Sequence, residues 1–144
     1  MTRISNKEEQ ILSLLNGLGN KISPRFERCT GISSTRFEIL HQLCQVDELN
    51  QSMLQKVLQI DGAAITRHLK QLEADGMVTR RRNPEDNRVT FVRLTEEGQA
   101  RIAGYRAEKE ILIQQILQHF SEEEINQLAG YLERMQNNMG EHFA

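Results

Sequence analysis

The sequence is poor in several kinds of residue, and each shortage excludes a class of protein. Only two of its 144 residues are cysteines, Cys29 and Cys44, and they are not spaced as C-x-x-C. We therefore expect reduced thiols rather than a disulfide scaffold. No apolar run approaches the roughly 18 residues that a membrane span requires, and the polar start MTRISNKEEQ lacks a signal-peptide core. These absences predict a cytoplasmic protein with no membrane partner.

The sequence signatures of common enzyme classes are missing as well. There is no G-x-S-x-G, no P-loop, no H-E-x-x-H and no glycine-rich dinucleotide turn. Glu38 and His41 stand three residues apart on a predicted helix, but the four histidines are otherwise scattered, without an H-x-x-x-H pair. We therefore expect no enzyme, no cofactor and no metal site.

Charge is distributed unevenly along a chain whose net charge is only −2. Residues 62–93 hold seven Lys or Arg and four acidic residues, a surplus of +3, so the rest of the chain carries −5. The basic residues concentrate in TRRRNPEDNRVTFVRLT, residues 79–95. A localised basic patch on an acidic body is typical of a specific contact with phosphates.

Apolar periodicity predicts a mainly helical chain. The first helix should span about 5–28, where Ser5 and Glu8 have capping-box spacing. Pro24 is expected to kink or break this helix, because proline removes a backbone donor. Further helices are predicted at about 34–46, 51–58, 61–75, 96–119 and 121–139.

The helix predicted at 61–75 has two faces of different character. Asp61 is placed to cap its start, and Gly76 suits the position after its end. An apolar stripe recurs at i, i+4 and i+7 from Ile65. Such a helix rests one face on a core and presents the other outward. The outward face is predicted to hold Ala63, Thr66, Arg67 and Lys70.

After residue 76 the apolar period changes from 3.6 to 2. MVTRR and RVTFVRL are rich in β-branched residues, and the segment NPEDN lies between them. This pattern predicts a β-hairpin with a loop of about five residues. Arg82 and Arg88 should lie at its tip.

Two short helices, a tight turn, a longer helix and a basic hairpin indicate a winged helix–turn–helix. The sequence resembles the MarR family of bacterial transcription regulators over essentially its whole length. NQSMLQKVLQIDGAAITRHLKQLEADGMVTR carries the family's Thr-Arg pair followed by L-E-x-x-G-hydrophobic, and DNRVTFVRLTEEG matches the wing pattern D-x-R-x-x-x-V-x-L-T-x-x-G. Two features depart from the pattern. Gln59 stands where the turn often has Gly, and Ala63 and Ala64 replace the usual hydroxyl residues.

The resemblance implies a mainly α fold with a small β-hairpin wing, in one domain of residues 1–144. Its DNA-binding lobe would span about 33–95, and its dimerisation helices about 5–28 and 96–139. The implied function is sequence-specific binding of double-stranded DNA, most often as a homodimeric repressor on a pseudo-palindromic operator.

The resemblance also assigns roles to particular residues. The 61–75 helix would read bases in the major groove, and Arg88 would enter the minor groove with its direction held by Asp86. The neighbouring wing arginines would contact phosphates. The implied contacts are Ala63, Ala64, Thr66, Arg67 and Lys70 in the helix and Arg80, Arg81, Arg82, Asp86 and Arg88 in the wing.

A dimer is implied by the same resemblance, and one physical argument supports it. Apolar residues of the last helix recur with 3, 4, 3, 4 spacing from Ile125 to Met139, a heptad seam too short to stand without a partner helix. Two-fold DNA sites also pair naturally with two-fold proteins. The predicted interface residues are Ile11, Leu15, Leu18, Leu128, Leu132 and Met135.

Regulation by a small-molecule effector is a further implication of the resemblance. The pocket would lie between the DNA-binding lobe and the dimerisation helices, although core packing explains its aromatic residues equally well. Its candidate lining residues are Phe26, Arg36, Phe37 and His41. Two alternatives stay open: a redox response through Cys29 or Cys44, and a winged-helix interaction module that no longer binds DNA. An RNA-binding role is disfavoured by the lack of exposed aromatic residues for base stacking.

Overall fold

A computed structural model describes the backbone of residues 3–142 and the side chains of residues 3–140. Residues up to Lys109 form one compact unit, and residues from Glu110 onward form another. The mainly α fold with a small hairpin wing is confirmed. The elements are α1 (Asn6–Thr30), α2 (Ser34–Cys44), β1 (Leu49–Asn50), α3 (Gln51–Leu58), α4 (Gly62–Ala74), β2 (Val78–Asn83), β3 (Asp86–Leu94), α5 (Glu96–Ile116) and α6 (Glu122–His142).

Helix α1 begins as predicted but does not break at its proline. The Ser5 hydroxyl accepts from the Glu8 amide at 3.2 Å, and the Glu8 carboxylate accepts from the Ser5 amide at 2.6 Å. The helix then runs through Pro24 to Thr30 and ends at Gly31 in the left-handed region, with φ of 78°. The expectation of a break was wrong because Pro24 is exposed, where water can satisfy the carbonyl that loses its amide partner.

The hairpin is longer and its loop shorter than predicted. Strands β2 and β3 run to Asn83 and Asp86, so only Pro84 and Glu85 lie between them, and the expected five-residue loop was wrong. The Asn83 side chain closes this turn by accepting from the Glu85 amide at 2.9 Å. Polar residues that indicate a loop in the sequence therefore continue the strands, because their side chains hydrogen-bond to the local backbone.

A third strand, β1, was not predicted. The antiparallel sheet has the order β1-β3-β2, and β1 pairs with β3 through Leu49 with Val92 and Asn50 with Phe91. Two residues are too few to show a period of 2, so their sequence carries no strand signal. This strand ties the start of α3 to the hairpin.

The core of the first unit holds α4 and the base of the hairpin in place. The apolar stripe predicted for α4 is fully buried, and it is joined by inward-facing residues of α2, α3 and both long strands. Its described members are Phe26, Ile32, Phe37, Ile39, Leu40, Leu43, Leu54, Ile65, Leu69, Leu72, Met77, Val78, Val92, Leu94 and Ile102. Among residues 3–142, no helix has the length and apolar content needed to cross a membrane.

Gly98, at the start of α5, is expected to be essential for packing this helix against the hairpin. A Cβ there would overlap the Met77 carbonyl oxygen and come within 2.8 Å of a Leu94 methyl group. We expect Gly98→Ala to destabilise the protein by about 1–3 kcal/mol, as overpacking does. Gly104→Ala on the same helix is the control, because its Cβ meets nothing within 4 Å. Equal melting temperatures of the two variants would contradict the prediction.

Candidate nucleic-acid interface

The outer face of α4 presents the residues that the sequence places there. Asp61 caps the helix by accepting from the Ala64 amide at 2.9 Å. Ala63, Arg67 and Lys70 are exposed, and Ala64 and Thr66 are half-buried. An open concavity of about 580 Å³ on this face is lined by Ala63, Thr66, Arg67, Lys70 and Gln71. The face is therefore small, polar and basic.

Thr66 is more constrained than its neighbours on this face. Its hydroxyl donates to the Gly62 carbonyl at 2.9 Å and accepts from the Gln51 side-chain amide at 3.3 Å. The bond from Gln51 joins the first turn of α3 to α4. Gln59, at the end of α3, adopts the left-handed conformation with φ of 53°, which explains why a glycine is often found there.

A second concavity of about 510 Å³ lies between α4 and the hairpin. Lys70 and Glu73 border it on the helix side, and Arg80 and Arg82 on the strand side. Among the described residues, neither Lys70 nor Arg82 has an ion pair, whereas Arg80 lies 3.2 Å from the Glu73 carboxylate. The cleft therefore combines one neutralised arginine with two cations available to an anion.

Arg80 is the most enclosed of the three consecutive arginines. Its side chain is only 19% exposed, and its Nε is buried without a hydrogen-bond partner among the described residues. A buried donor without a partner is costly, and among the described residues Arg80 Nε is the buried side-chain polar atom that lacks one.

Arg81 has different partners from the arginines on either side of it. Its Nε and Nη2 donate to the two carboxylate oxygens of Glu48 at 3.0 and 2.7 Å. Its guanidinium also lies over the Phe91 ring, 4.7 Å from the centroid. These hydrogen bonds stabilise both charged forms, so they lower the pKa of Glu48 and raise the pKa of Arg81.

The tip of the hairpin holds Arg88 and Asp86 as a pair, as the sequence suggested. Asp86 Oδ1 accepts from both the amide and Nε of Arg88 at 3.1 Å, and Oδ2 accepts from Nη2 at 3.3 Å. The hydrogen bonds from the Arg88 side chain, and then from its backbone, lower the pKa of Asp86. The pair therefore persists at neutral pH and is lost only as the pH falls through that lowered pKa.

A strand irregularity places Arg88 outward from this pair. Arg82 is opposite Thr90 and Asn83 is opposite Asp86, so residues 87–89 have no partners on β2. Such bulges redirect a side chain at the edge of a sheet. The Arg88 side chain is 91% exposed as a result.

The candidate effector residues do not all lie together. Phe26 and Phe37 are buried and pack edge to face, with ring centroids 5.4 Å apart, and His41 stacks on Phe37 at 6.2 Å. Arg36 lies elsewhere: its Nε donates to Nδ1 of His68 on α4 at 3.2 Å. Burial, together with the charges of Arg36 and Arg67, lowers the pKa of His68, which favours the neutral ring that accepts this bond.

Two basic residues beside the aromatic cluster were not foreseen. Arg106 lies 3.1 Å from Nδ1 of His41, and Lys109 lies 4.7 Å from the centroid of the Phe37 ring. Both come from α5, far along the chain, so no local spacing indicated them. Of the two cysteines, Cys29 is exposed and Cys44 is half-buried, and both thiols are free.

The predicted dimer residues leave apolar surface uncovered in the single chain. On α1, Ile11 is 45% and Leu18 48% exposed, and Leu15 is half-buried. On α6, Leu132 is 37% exposed, and Leu128 and Met135 are half-buried. Partly or largely exposed apolar side chains therefore recur at regular spacing along both helices.

The fold and the basic face together define a winged helix–turn–helix protein. Residues 32–90 match the model of the MarR family. An uncharacterised HTH-type transcriptional regulator of Bacillus subtilis, YdgJ, is 51% identical over 134 residues, which cover 93% of this chain and 82% of that protein. The chain therefore belongs to the MarR family of transcription regulators, as its sequence indicated. Members of this family are DNA-binding regulators rather than enzymes, which confirms the expected absence of catalysis.

Solved structures of similar fold include two that contain DNA. Sco3205, a MarR family regulator from Streptomyces coelicolor in complex with DNA, has a TM-score of 0.86 at 17% identity, covering 96% of this chain and 91% of that one. A mutant MarR from E. coli complexed with operator DNA has a TM-score of 0.80 at 24% identity, covering 93% and 99%. These likenesses establish the fold.

Proposed function

We propose that the protein is a homodimeric repressor that binds a pseudo-palindromic DNA operator through α4 and the wing. The observation that carries the proposal is the set of cations without carboxylate partners on α4 and in the cleft beside it. Arg67, Lys70 and Arg82 have no ion pair among the described residues, and the wing carries Arg88 at its end. This arrangement suits a duplex, which offers phosphates beside both grooves.

In the proposed complex the exposed start of α4 enters the major groove. Arg67 has the length and fork geometry to contact a guanine through two hydrogen bonds, and the methyl group of Ala63 suits a thymine methyl. The hydroxyl of Thr66 is already engaged within the protein, so Thr66 offers mainly its methyl group. Lys70 and Arg82 then neutralise phosphates, and Arg88 enters the minor groove.

The proposed dimer would join α1 and α6 of two chains and the adjoining part of α5. Its support is the exposed apolar surface of Ile11, Leu18 and Leu132, which a single chain leaves in water. Two chains related by a two-fold axis would present two α4 helices to half-sites about one helical turn apart. Residues 1–144 would thus act as one functional domain, working in the bacterial cytoplasm.

The proposed release from DNA depends on a small-molecule effector near the aromatic cluster. Phe26 and Phe37 are buried and Lys109 pairs with Glu38 at 3.6 Å, so an acidic aromatic ligand would meet half-buried His41 and the Arg106 guanidinium beside it. Binding would act by favouring a dimer whose α4 helices have a different spacing, which requires different affinities for the two states.

Selection of a preferred duplex from random DNA, followed by titration at several salt concentrations, tests the proposed function. We expect a palindromic consensus and a steep fall of affinity with salt, because each neutralised phosphate releases counterions. Weak binding with no consensus and a flat salt response would instead favour a winged-helix interaction module.

Lys70→Ala tests the role of the cleft. We expect weaker binding to every sequence and a decrease of about one in the slope of log affinity against log salt. Lys7→Ala, which removes an exposed lysine from the first turn of α1, is the matched control and should leave the slope unchanged. A change in sequence preference with an unchanged slope would show that Lys70 reads bases rather than contacting phosphate.

A further inference from the structure

The three consecutive arginines of the wing do not share one face of the sheet. Side chains along a strand alternate between faces, so Arg80 and Arg82 lie on one face and Arg81 on the other. Val78, on the same face as Arg80, is buried in the core, and Arg80 itself reaches Glu73 of α4. That face therefore looks toward α4. Arg81 also borders the cleft, but Glu48 and Phe91 hold its guanidinium on the opposite face.

Arg81 spans the width of the sheet on its own face. It starts from β2, the guanidinium lies over Phe91 of β3, and it ends at Glu48, the residue before β1. Phe91 is the register partner of both Arg81 and Asn50. The side chain thus links β2 to β3 through the cation–π contact and to the start of β1 through two hydrogen bonds to Glu48. Together these contacts constrain geometry more than a simple surface ion pair does.

Glu48, the acceptor in this contact, lies shortly before α3, the first helix of the helix–turn–helix. Asn50, two residues after Glu48, caps α3 by accepting from the Ser52 amide at 2.8 Å. A movement of the wing would therefore be transmitted to the segment that begins α3, and through the Gln51–Thr66 hydrogen bond to α4. Fixing this segment fixes the distance between the wing tip and the outer face of α4.

We propose that Arg81 is a positioning residue, which with Glu48 and Phe91 holds the wing at the angle that lets Arg88 and α4 bind one duplex together. The assignment rests on the proposed function, and it differs from the phosphate contact that the sequence predicts for Arg81. Glu48 already neutralises Arg81, so a phosphate would have to displace a carboxylate bound by two hydrogen bonds. Arg82, on the face toward Lys70, is the phosphate contact of the three.

Glu48→Gln gives the sharpest test, because the two possible roles of Arg81 predict opposite changes in DNA affinity. If Arg81 were a phosphate contact, removal of the neighbouring negative charge would release it and tighten DNA binding. If Arg81 positions the wing, Glu48→Gln should weaken operator binding by a factor of about five, near the upper range for well-formed surface pairs. Glu97→Gln is the matched control, since Glu97 forms a 2.7 Å pair with Arg101 on α5, and it should leave affinity unchanged.

Arg81→Ala and Arg82→Ala complete the experiment on the selected operator. Arg81→Ala should weaken operator binding about as much as Glu48→Gln does. The variant that combines both substitutions should bind no more weakly than Arg81→Ala alone. In each of these variants the slope of log affinity against log salt should stay unchanged. Arg82→Ala should lower the slope by about one. Melting curves identify any variant that fails to fold; Glu48→Gln, which keeps the side-chain shape, carries the test if Arg81→Ala does not fold.

If the wild-type protein binds its operator, two results would overturn the assignment of Arg81 and leave the proposed function standing. The first is a lower salt slope in Arg81→Ala together with tighter binding by Glu48→Gln. The second is unchanged affinity in both variants. A wild-type protein that binds no duplex in a salt-dependent way would instead overturn the proposed function, and the assignment of Arg81 with it.

Discussion

Replacement of Arg88 by alanine is expected to lower operator affinity about 10- to 100-fold, which is the range for a specific arginine contact. The melting temperature should not change, because the side chain is 91% exposed and its hydrogen bonds among the described residues go to Asp86, two positions before it. Arginine at a hairpin tip suits the minor groove, where narrow A·T-rich segments concentrate negative potential. The loss should therefore be largest on operators with A·T-rich steps where the wing lies.

Arg101→Ala is the matched control for this result. Arg101 is also exposed and paired with a neighbouring acid, Glu97, but it belongs to α5 rather than to the wing. Fluorescence anisotropy with labelled operator measures both variants, and thermal melting shows whether the fold is retained. A marked fall in the melting temperature of Arg88→Ala would show a structural residue and contradict its assignment to DNA.

The second large effect is expected at the proposed dimer surface. Leu18→Glu should convert the dimer to a monomer, because it places a charge in an apolar contact that excludes water. Leu18 is 48% exposed in the single chain, so the protomer itself should still fold. Operator affinity should then fall by about two orders of magnitude or more, since the second half-site no longer benefits from a tethered partner.

Analytical ultracentrifugation of Leu18→Glu measures the association state directly. Val46→Glu is the matched control, with an aliphatic residue 44% exposed outside the proposed interface, and it should remain dimeric. Binding to a single half-site should survive in Leu18→Glu with about half the salt slope, because half as many phosphates are contacted. A dimeric Leu18→Glu that binds like the wild type would place the interface elsewhere.

Local signals explain why α4 could be predicted in detail. The Asp61 cap, the buried stripe from Ile65 and the left-handed Gly76 all depend on residues within a few positions of one another. The switch to a period of 2 likewise located the hairpin. The wing pair of Asp86 and Arg88 could be anticipated for the same reason, because its two members are separated by one residue.

The wrong predictions concern residue types that usually end a helix or a strand but whose effect depends on their surroundings. Pro24 does not break α1, because a proline's effect depends on whether water reaches the carbonyl that it leaves free. The polar segment after Arg82 forms strand rather than loop, because Asn83 and Asp86 pair across a two-residue turn. In both cases a residue type that usually marks a break was accommodated by its surroundings.

By itself, the sequence determined the class of fold, the outward face of α4, the basic hairpin and the family, since these follow from periodicity, caps and motifs along a contiguous chain. Only the tertiary structure decided which arginines are free to bind an anion. Arg36 is bound to His68 and Arg81 to Glu48, over separations of 32 and 33 residues, while Arg82 has no ion pair among the described residues. Strand alternation separates Arg81 from Arg80 and Arg82, but it does not assign their roles, because a guanidinium's role depends on the carboxylates and rings that the fold brings to it.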